Sequence, residues 1–362
     1  MNEHELAILR QFCLDAEPAS CTPYGCGHIN RTYLVATAGG RCYILQKINH
    51  HTFRDVAGLM ENIELVTEHL RRKSPDPRSV LTLIRTKDGK SYLEADDGYW
   101  RVFRFVEDSI CLQQPESDAD FYESAVGFGT FQQLLSDFPA EKLHETIPNF
   151  HNTPDRYRAF HETLTRDPMH RAAQVQPEIE FALARQAEMA ALQNALDAGE
   201  LPLRVTHNDT KLNNVLFDAK TRKALCIIDL DTVMPGSALY DYGDSIRFGA
   251  ATAAEDEREL DKMEMSLERF RVFTRGYVRA CPGLTQKELE LLPLGAKVMT
   301  MECGVRFLTD HIDGDNYFSI HREGQNLDRA HTQFKLVADM ERKWDKMKEI
   351  VNEEVQNAKE NG

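Results

Sequence analysis

The sequence predicts an α+β fold in two lobes, with a small antiparallel β-sheet in residues 1–108 and a mostly helical lobe in residues 109–362. Three observations predict it. Short apolar and alternating runs between residues 20 and 106 are separated by turns rich in Gly and Pro, which is typical of antiparallel strands. Beyond residue 109, apolar residues recur mainly at helical spacing. Two short apolar runs, Leu201–Val205 and Ala224–Ile228, interrupt the helical part, and polar residues follow each at once.

Length and composition suit a soluble globular protein. The chain has 362 residues, of which 42% are hydrophobic and 28% are charged. The net charge of −15 disfavours nucleic acid as a partner, because a phosphate backbone would be repelled. No apolar run approaches the roughly 18 residues of a membrane span, and the start of the chain lacks the apolar core of a signal peptide. We expect a cytoplasmic monomer that does not bind membranes, with its eight scattered cysteines as free thiols.

A glycine-containing segment follows a first helix, which is expected at residues 4–15. Gly25 and Gly27 precede an alternating strand that ends near Val35, and a second strand covers residues 42–48 after a Gly-Gly turn. Glycine lets the backbone approach an anionic group closely, so both glycines are candidate phosphate contacts. A plain hairpin explains the same pattern.

The second strand carries two candidates for a ligand-binding side chain, Gln46 and Lys47. Strand alternation allows only one of them to face a given side of the sheet. Lys47 is the candidate cation, and Gln46 stays open as the alternative. A helix predicted at residues 55–73 carries Glu64, the candidate acidic partner of that cation, although a solvated helical Glu fits equally well.

Three further strands are expected at residues 80–84, 91–94 and 100–106, with Asp-Gly turns between them. The chain then leaves the sheet from Phe105 to Asp108, where we place the lobe boundary. The exposed backbone of such a hinge can pair with a planar base, so Phe105 and Glu107 are candidate nucleotide contacts. In the second lobe, periodicity predicts helices at residues 118–136, 154–166, 178–199, 255–280, 285–310 and 329–358.

The chemistry-bearing residues follow the two apolar runs of the second lobe. Asp209 and Asn214 come five residues apart after the first run, and Asp229 and Asp231 come directly after the second. Two short strands ending in this way would place the acids and the amide around one small volume. One carboxylate can accept a proton from an attacking hydroxyl, and the amide and second carboxylate oxygens are hard ligands for Mg²⁺. Either cluster alone also occurs in ordinary turns.

The spacing H-x-D-x-x-x-x-N followed by I-D resembles the kinase-like phosphotransferases of small molecules, which include aminoglycoside, choline and homoserine kinases. The similarity to the N-acetylhexosamine 1-kinases is closer and spans nearly the whole chain. It is carried by Leu203–Asn214, Ile227–Thr232, Met234–Ser237, Gly243–Gly249, Pro23–Gly25, Gly27–Asn30 and Thr300–Gly304. This resemblance implies a protein-kinase-like fold and the phosphorylation of N-acetylhexosamines at the anomeric hydroxyl by ATP and Mg²⁺.

The residues and the resemblance together give an expected site. Asp209 is the expected base, Asn214, Asp229 and Asp231 the metal ligands, and Lys211 a cation beside the transferred phosphoryl. Asp241 and Asp244 are expected to fix the backbone of the catalytic loop, and His207 to be structural. The nucleotide contacts would be Gly25, Gly27, Lys47, Glu64, Phe105, Glu107 and Lys211. The resemblance adds His28, Thr232, Arg306 and Tyr317 as sugar contacts beside Asp209. Lys47 departs from the neutral residue of that family.

Two other functions stay open at this point. The first is a kinase for another small hydroxyl compound, such as another hexose or an amino alcohol. The second is a nucleotide-binding protein without catalysis, against which the intact set of Asp209, Asn214 and Asp229 argues. The preferred N-acetylhexosamine and the number of Mg²⁺ ions do not follow from the sequence.

Overall fold

The computed structural model describes residues 3–25 and 29–361, and the chain divides into two compact units. The first unit runs to Ile110 and also takes in the later segments Glu141–Pro148 and Leu216–Met234. The remaining residues from Cys111 onward form the second unit. The predicted lobe boundary lies near residue 108, and the first segment of the first unit ends at Ile110. The two later segments of that unit were not part of the prediction.

An antiparallel sheet forms most of the first unit. Its elements are helix α1 (Glu3–Leu9), strands β1 (Pro18–Pro23), β2 (Arg31–Thr37) and β3 (Cys42–Ile48), helix α2 (Val56–Lys73), and strands β4 (Leu83–Ile84), β5 (Leu93–Ala95) and β6 (Gly98–Arg104). The strands pair in the order β1-β2-β3-β6-β4, and β5 pairs with β6. Helix α2 begins after Asp55, whose side chain caps it by accepting a 2.9 Å hydrogen bond from the N–H of Gly58.

Gln46 and Lys47 lie on opposite faces of this sheet. The register places Gln46 opposite Arg101 and Lys47 opposite Trp100. Trp100 packs in a hydrophobic cluster with residues of α1, so Lys47 lies on the α1 side. Arg101 lies on the α2 side, where its Nη1 is 3.8 Å from Sδ of Met60. Successive side chains of a strand point to opposite faces, so the register decides which residue can act on each side.

The remaining strands are short: β7 (Ser109–Cys111), β8 (Arg204–Thr206), β9 (Val215–Asp218), β10 (Ala224–Ile227) and β11 (Met234–Gly236). Strands β10, β9 and β7 form one sheet, and β11 pairs with β8. The first predicted apolar run overlaps β8, and the second contains β10. Short 3₁₀ turns follow these strands at Leu212–Asn214 and Leu230–Thr232, within the two polar clusters identified in the sequence.

The second unit is mainly helical. Its helices are α3 (Asp118–Leu134), α4 (Thr153–Arg166), α5 (Gln176–Met189), α6 (Ala191–Asp197), α7 (Ala238–Gly249), α8 (Leu267–Ala280), α9 (Gln286–Asp313), α10 (Gln325–Arg342) and α11 (Trp344–Asn361). Helix α9 packs against α4, α7 and α10. A Cβ at Gly243 would lie 2.4 Å from the carbonyl oxygen of Gly295, so glycine allows α7 and α9 to approach this closely.

Four predicted helices differ from the structure. The first, predicted at residues 4–15, ends at Leu9, and Phe12 instead forms a β-bridge with Thr86. The helix predicted at 255–280 begins only at Leu267, after an irregular segment in which the N–H of Met265 donates to Asp339 at 2.8 Å. Those predicted at 178–199 and 329–358 are each two helices, interrupted at Ala190 and Lys343. Their ψ angles are −10° and 8°, against about −42° in a regular helix. No helix in the described part of the chain is long and apolar enough to cross a membrane.

Candidate active site

The loop after β8 brings the predicted base and one predicted metal ligand together. Nδ2 of Asn214 donates to the backbone carbonyl of Asp209 at 2.7 Å and to its carboxylate Oδ2 at 3.2 Å. Nζ of Lys211 lies 3.1 Å from the other carboxylate oxygen, Oδ1. The Asp209 charge raises the pKa of Lys211, so the ammonium group stays protonated beside the carboxylate. The loop therefore presents an acid, an amide and a cation close together.

Helix α7 fixes the backbone of this loop. The carboxylate of Asp241 accepts hydrogen bonds from the N–H groups of His207 and Asn208 at 2.9 and 2.8 Å. Asp244 accepts one from the N–H of Thr210 at 3.0 Å. Burial opposes ionisation of Asp244, but the charges of Arg247 and Lys211 outweigh it and lower its pKa. The structural role predicted for the two α7 acids is confirmed.

His207 lies beneath the loop. Its ring is fully buried and meets the rings of Phe128 and Phe131 edge-on, at centroid distances of 5.6 and 6.0 Å. Nδ1 accepts a 3.3 Å hydrogen bond from the N–H of Asp209. These contacts agree with the structural role expected for this histidine.

The turn after β10 carries the other two predicted metal ligands, and their surroundings differ. Asp229 has left-handed backbone angles, φ 58° and ψ 58°, and is exposed. Asp231 is buried, and its Oδ1 lies 2.5 Å from Nη1 of Arg101 in a charge contact that is not aligned as a hydrogen bond. Asn30 donates to Oδ2 of Asp231 at 2.5 Å. A cation and an amide therefore already engage the Asp231 carboxylate.

Arg101 is a buried cation that was not predicted. It is 1% exposed, and its Nε donates to Oε1 of Gln46 at 2.9 Å. Nε2 of Gln46 in turn donates to Oγ1 of Thr32 at 3.1 Å. The sequence suggested a cation on β3, whereas the adjacent strand supplies one directly opposite Gln46. An arginine inside the apolar run of β6 was the signal that marks this position.

The structure does not bring Lys47 and Glu64 together. Nζ of Lys47 lies 2.6 Å from the carboxylate of Asp97 and 5.5 Å from the ring centre of Trp100. Burial opposes ionisation of Asp97, but hydrogen bonds from Lys47 and Trp100 lower its pKa to about 2. Glu64 pairs with Arg85 at 2.6 Å. Lys47 and Glu64 were expected to pair with each other, but each pairs with another residue instead.

Part of the predicted nucleotide-covering segment is described. Gly25 has φ +80°, a left-handed conformation that favours glycine. The neighbouring ring of Tyr24 meets the ring of Phe105 edge-on at 6.0 Å. Phe105 also donates its N–H to the carbonyl of Cys42 at 3.0 Å, and Glu107 is exposed. Two predicted contacts, Gly27 and His28, lie outside the described residues.

Two predicted sugar contacts lie together in the second unit. Nη2 of Arg306 donates to the hydroxyl of Tyr317 at 3.3 Å, and Tyr317 is 65% exposed. The Arg306 guanidinium lies 5.4 to 5.6 Å from the rings of Phe150, Tyr317 and Phe318, which is within cation–π distance. The two phenylalanines were not predicted. Thr232, another predicted contact, is buried in the 3₁₀ turn Leu230–Thr232 of the first unit.

The predicted metal ligands are of the types that bind a divalent cation. Asp209 occupies the Nδ2 group of Asn214, which leaves the amide oxygen Oδ1 as the atom that can bind a metal, and Asp229 offers a carboxylate. Among residues 3–25 and 29–361, no group of three or more His, Cys, Asp or Glu side chains could hold a metal ion. Such a group is not required, because Mg²⁺ commonly binds one or two carboxylates together with phosphate oxygens and water.

Solved structures share this fold over almost the whole chain. An aminoglycoside phosphotransferase from Alicyclobacillus acidocaldarius is 12% identical, covers 97% of this chain and 96% of its own, and has a TM-score of 0.62. The spectinomycin phosphotransferase, solved with ADP and spectinomycin, is 11% identical, covers 94% of this chain and 98% of its own, and has a TM-score of 0.60. The amicoumacin kinase hAmiN, solved with AMP-PNP and Ca²⁺, is 13% identical, covers 92% of this chain and 93% of its own, and has a TM-score of 0.57.

The predicted fold class is confirmed: a kinase-like α+β fold with an antiparallel sheet in the N-terminal region and helices in the C-terminal region. The family model for phosphotransferase enzymes matches residues 20–272, which include most of the sheet, the loop after β8 and helix α7. Because this match covers more than half of the sequence, the chain belongs to the phosphotransferase enzyme family.

Proposed function

We propose that the protein is a kinase that transfers the γ-phosphoryl group of ATP to the anomeric hydroxyl of N-acetylhexosamines, giving the α-sugar 1-phosphate. Phosphotransfer is supported above all by the loop after β8, where Asp209, Asn214 and Lys211 lie within hydrogen-bond or ion-pair distance of one another. The choice of sugar is supported by the sequence resemblance to the N-acetylhexosamine 1-kinases and by the pairing of Arg306 with Tyr317.

Asp209 would accept the proton of the acceptor hydroxyl while the hydroxyl oxygen forms a bond to the γ-phosphorus. The bond from that phosphorus to the bridging oxygen of ADP breaks, and ADP leaves with the electron pair. In a loose phosphoryl-transfer transition state, holding the acceptor in line matters as much as basicity. Lys211 is protonated beside Asp209 and would offset negative charge on the transferred group.

Asn214 and Asp229 would hold Mg²⁺ through an amide oxygen and a carboxylate oxygen. A bound Mg²⁺ offsets the charge of the triphosphate and orients its oxygens. Asp231 was expected to share this role, but its carboxylate is taken up by Arg101 and Asn30. In the proposal it therefore fixes the turn that carries Asp229. The ADP, AMP-PNP and Ca²⁺ in structures of the same fold support ATP and a divalent cation as ligands.

The nucleotide would be covered by the segment of Gly25 and Gly27 and would meet the hinge at Phe105 and Glu107. Lys47 and Glu64 remain weaker candidates because Asp97 and Arg85 already pair with them. The sugar would be bound by His28, Thr232, Arg306 and Tyr317. Arginine offers a fork of donors to ring hydroxyls, and the exposed tyrosine offers a flat ring and a hydroxyl group.

A screen of ADP release in the presence of ATP and MgCl₂ tests this proposal. The acceptors are N-acetylglucosamine, N-acetylgalactosamine, their parent hexoses, choline, homoserine and spectinomycin. We expect the N-acetylhexosamines to give the highest kcat/KM and phosphorus NMR of the product to show an α-linked 1-phosphate. Turnover of another acceptor alone would contradict the proposed substrate but support the proposed kinase reaction. The absence of ADP release with every acceptor would reject both.

A further inference from the structure

A buried histidine–glutamate pair lies directly behind the loop that carries Asp209. Nδ1 of His151 is 2.8 Å from Oε1 of Glu302, and Nε2 of the same ring is 3.1 Å from the backbone carbonyl oxygen of Asn208. Thr153 donates its hydroxyl to Oε2 of Glu302 at 2.6 Å. The side chains of His151 and Glu302 are 6% and 1% exposed. These residues all belong to the second unit.

The number of donors determines how the pair must be protonated. The carbonyl oxygen of Asn208 can only accept, so Nε2 of His151 must carry a proton to bond with it. An ionised Glu302 also only accepts, so Nδ1 must carry a proton as well. Burial opposes the ionisation of Glu302, but His151 and Arg306 outweigh it and lower its pKa. With Glu302 ionised, the ring of His151 bridges a carboxylate and a loop carbonyl.

Asn208 is the residue on which this bridge acts, and its backbone conformation requires support. Its φ of 66° is left-handed, which is uncommon for a residue other than glycine. Asp241 holds the N–H of Asn208 at 2.8 Å, while His151 holds its carbonyl oxygen. That carbonyl belongs to the peptide bond that joins Asn208 to Asp209. Two buried side chains, one on α7 and one in the turn before α4, thus fix both polar groups of the residue before the proposed base.

The same face of α9 also carries a proposed sugar contact. Glu302 and Arg306 are four residues apart, which places them one helical turn apart on one face. Arg306 packs against the ring of Phe150, the residue before His151. The segment around His151 is therefore held by a helix face that also presents Arg306. This arrangement gives α9 two tasks, loop support and acceptor contact.

We propose that His151 and Glu302 are positioning residues for Asp209, acting through the carbonyl of Asn208. This inference rests on the proposed function, because it takes Asp209 as the base. Neither residue meets the substrate in this view. Their loss should therefore lower kcat while leaving the KM for ATP unchanged. A misplacement of about 1 Å can cost roughly 10²-fold in rate.

Four variants test the proposal. His151→Phe removes both ring donors and should lower kcat about 10²-fold. Glu302→Leu removes the acceptor of Nδ1 and should lower kcat strongly as well. Glu302→Gln should stay within about tenfold of wild type, because its amide can donate to Nδ1 and its carbonyl can accept from Thr153, which leaves Nε2–H on Asn208. His161→Phe is the matched control, since His161 lies on α4, is exposed and pairs with Gln186 at 2.9 Å.

Two kinetic outcomes would overturn the proposal: an unchanged kcat in His151→Phe, or equal losses in Glu302→Leu and Glu302→Gln. Melting temperatures of all variants separate lost positioning from lost folding. Nitrogen NMR of isotope-labelled histidine gives a readout without substrate, with the His151 signal assigned from His151→Phe. We expect both ring nitrogens to be protonated in wild type, and an unprotonated Nε2 would reject the bridge. This measurement stands even if the acceptor screen rejects N-acetylhexosamines.

Discussion

Nη1 of Arg101 lies 2.5 Å from Oδ1 of Asp231, and both side chains are at most 3% exposed. The contact ties strand β6 to the turn that begins at Asp229. A buried charge is costly unless it is paired, so each partner makes the other tolerable. Gln46 and Asn30 complete the surroundings of the pair by bonding to Arg101 and Asp231 respectively. The turn that follows the proposed metal ligand Asp229 is therefore held in place by the contacts of Asp231.

Removing both partners of this pair should destabilise the protein by less than the two single removals added together. Arg101→Met and Asp231→Asn each break the pair, and a buried charge left without its partner typically costs about 3–5 kcal/mol. We expect the double variant to lose less than the sum of the single variants, as measured by urea unfolding. The exposed pair of Arg85 and Glu64 is the control. There, Arg85→Met and Glu64→Gln should each lower the free energy of unfolding by less than about 1 kcal/mol. Additive losses at Arg101 and Asp231 would contradict the coupling.

Asp209→Asn should lower kcat by about 10²- to 10⁴-fold, because the amide cannot accept the hydroxyl proton. The KM for ATP should change little, since Asp209 is assigned to the acceptor. Steady-state kinetics with saturating acceptor and varied ATP measure both parameters. Asp197→Asn, an exposed position at the end of α6, serves as the control and should behave as wild type. Turnover near wild type in Asp209→Asn would remove the base assignment.

Arg306→Ala should raise the KM for the acceptor more than the KM for ATP. The change removes the donor to Tyr317 and the cation packed between three aromatic rings. A hydrogen bond from a charged donor is worth about 1.5–3 kcal/mol, so an increase of roughly 10-fold or more is expected. Arg279→Ala, exposed on α8, provides the comparison. Equal increases in both KM values would show that Arg306 does not discriminate between the two substrates.

Asp97 gives a prediction about pH. Its pKa is lowered to about 2 in the folded protein by hydrogen bonds from Lys47 and Trp100, against burial. A lowered folded-state pKa stabilises the protein above the unfolded-state value near 3.9, and the contribution is lost as pH falls through about 2. Asp97→Asn should therefore destabilise the protein at pH 7, and the difference from wild type should shrink between pH 4 and pH 2. Urea unfolding of both proteins over this range measures it; a difference independent of pH would refute the ion pair.

The local elements were predictable because their signals lie within short windows of sequence. The apolar runs before Asp209 and Asp229 indicated strands, and β8 overlaps the first run while β10 lies within the second. Caps and turns depend on neighbouring residues, as Asp55 at the start of α2 illustrates. Helix breaks at Ala190 and Lys343 were missed, because a change of ψ at one residue leaves the apolar period almost unchanged.

The sequence by itself determined the order of sheet and helices, and it supplied the candidate residues for phosphotransfer: Asp209, Asn214 and Asp229. Only the tertiary structure decided which charges meet. Arg101 reaches Asp231, His151 reaches Glu302, and Lys47 turns to Asp97. The first two pairings join residues far apart in the chain, and all three depend on strand register or helix packing. Composition and periodicity do not contain that information, because many acids are available to each cation and only the folded backbone brings one of them within bonding distance.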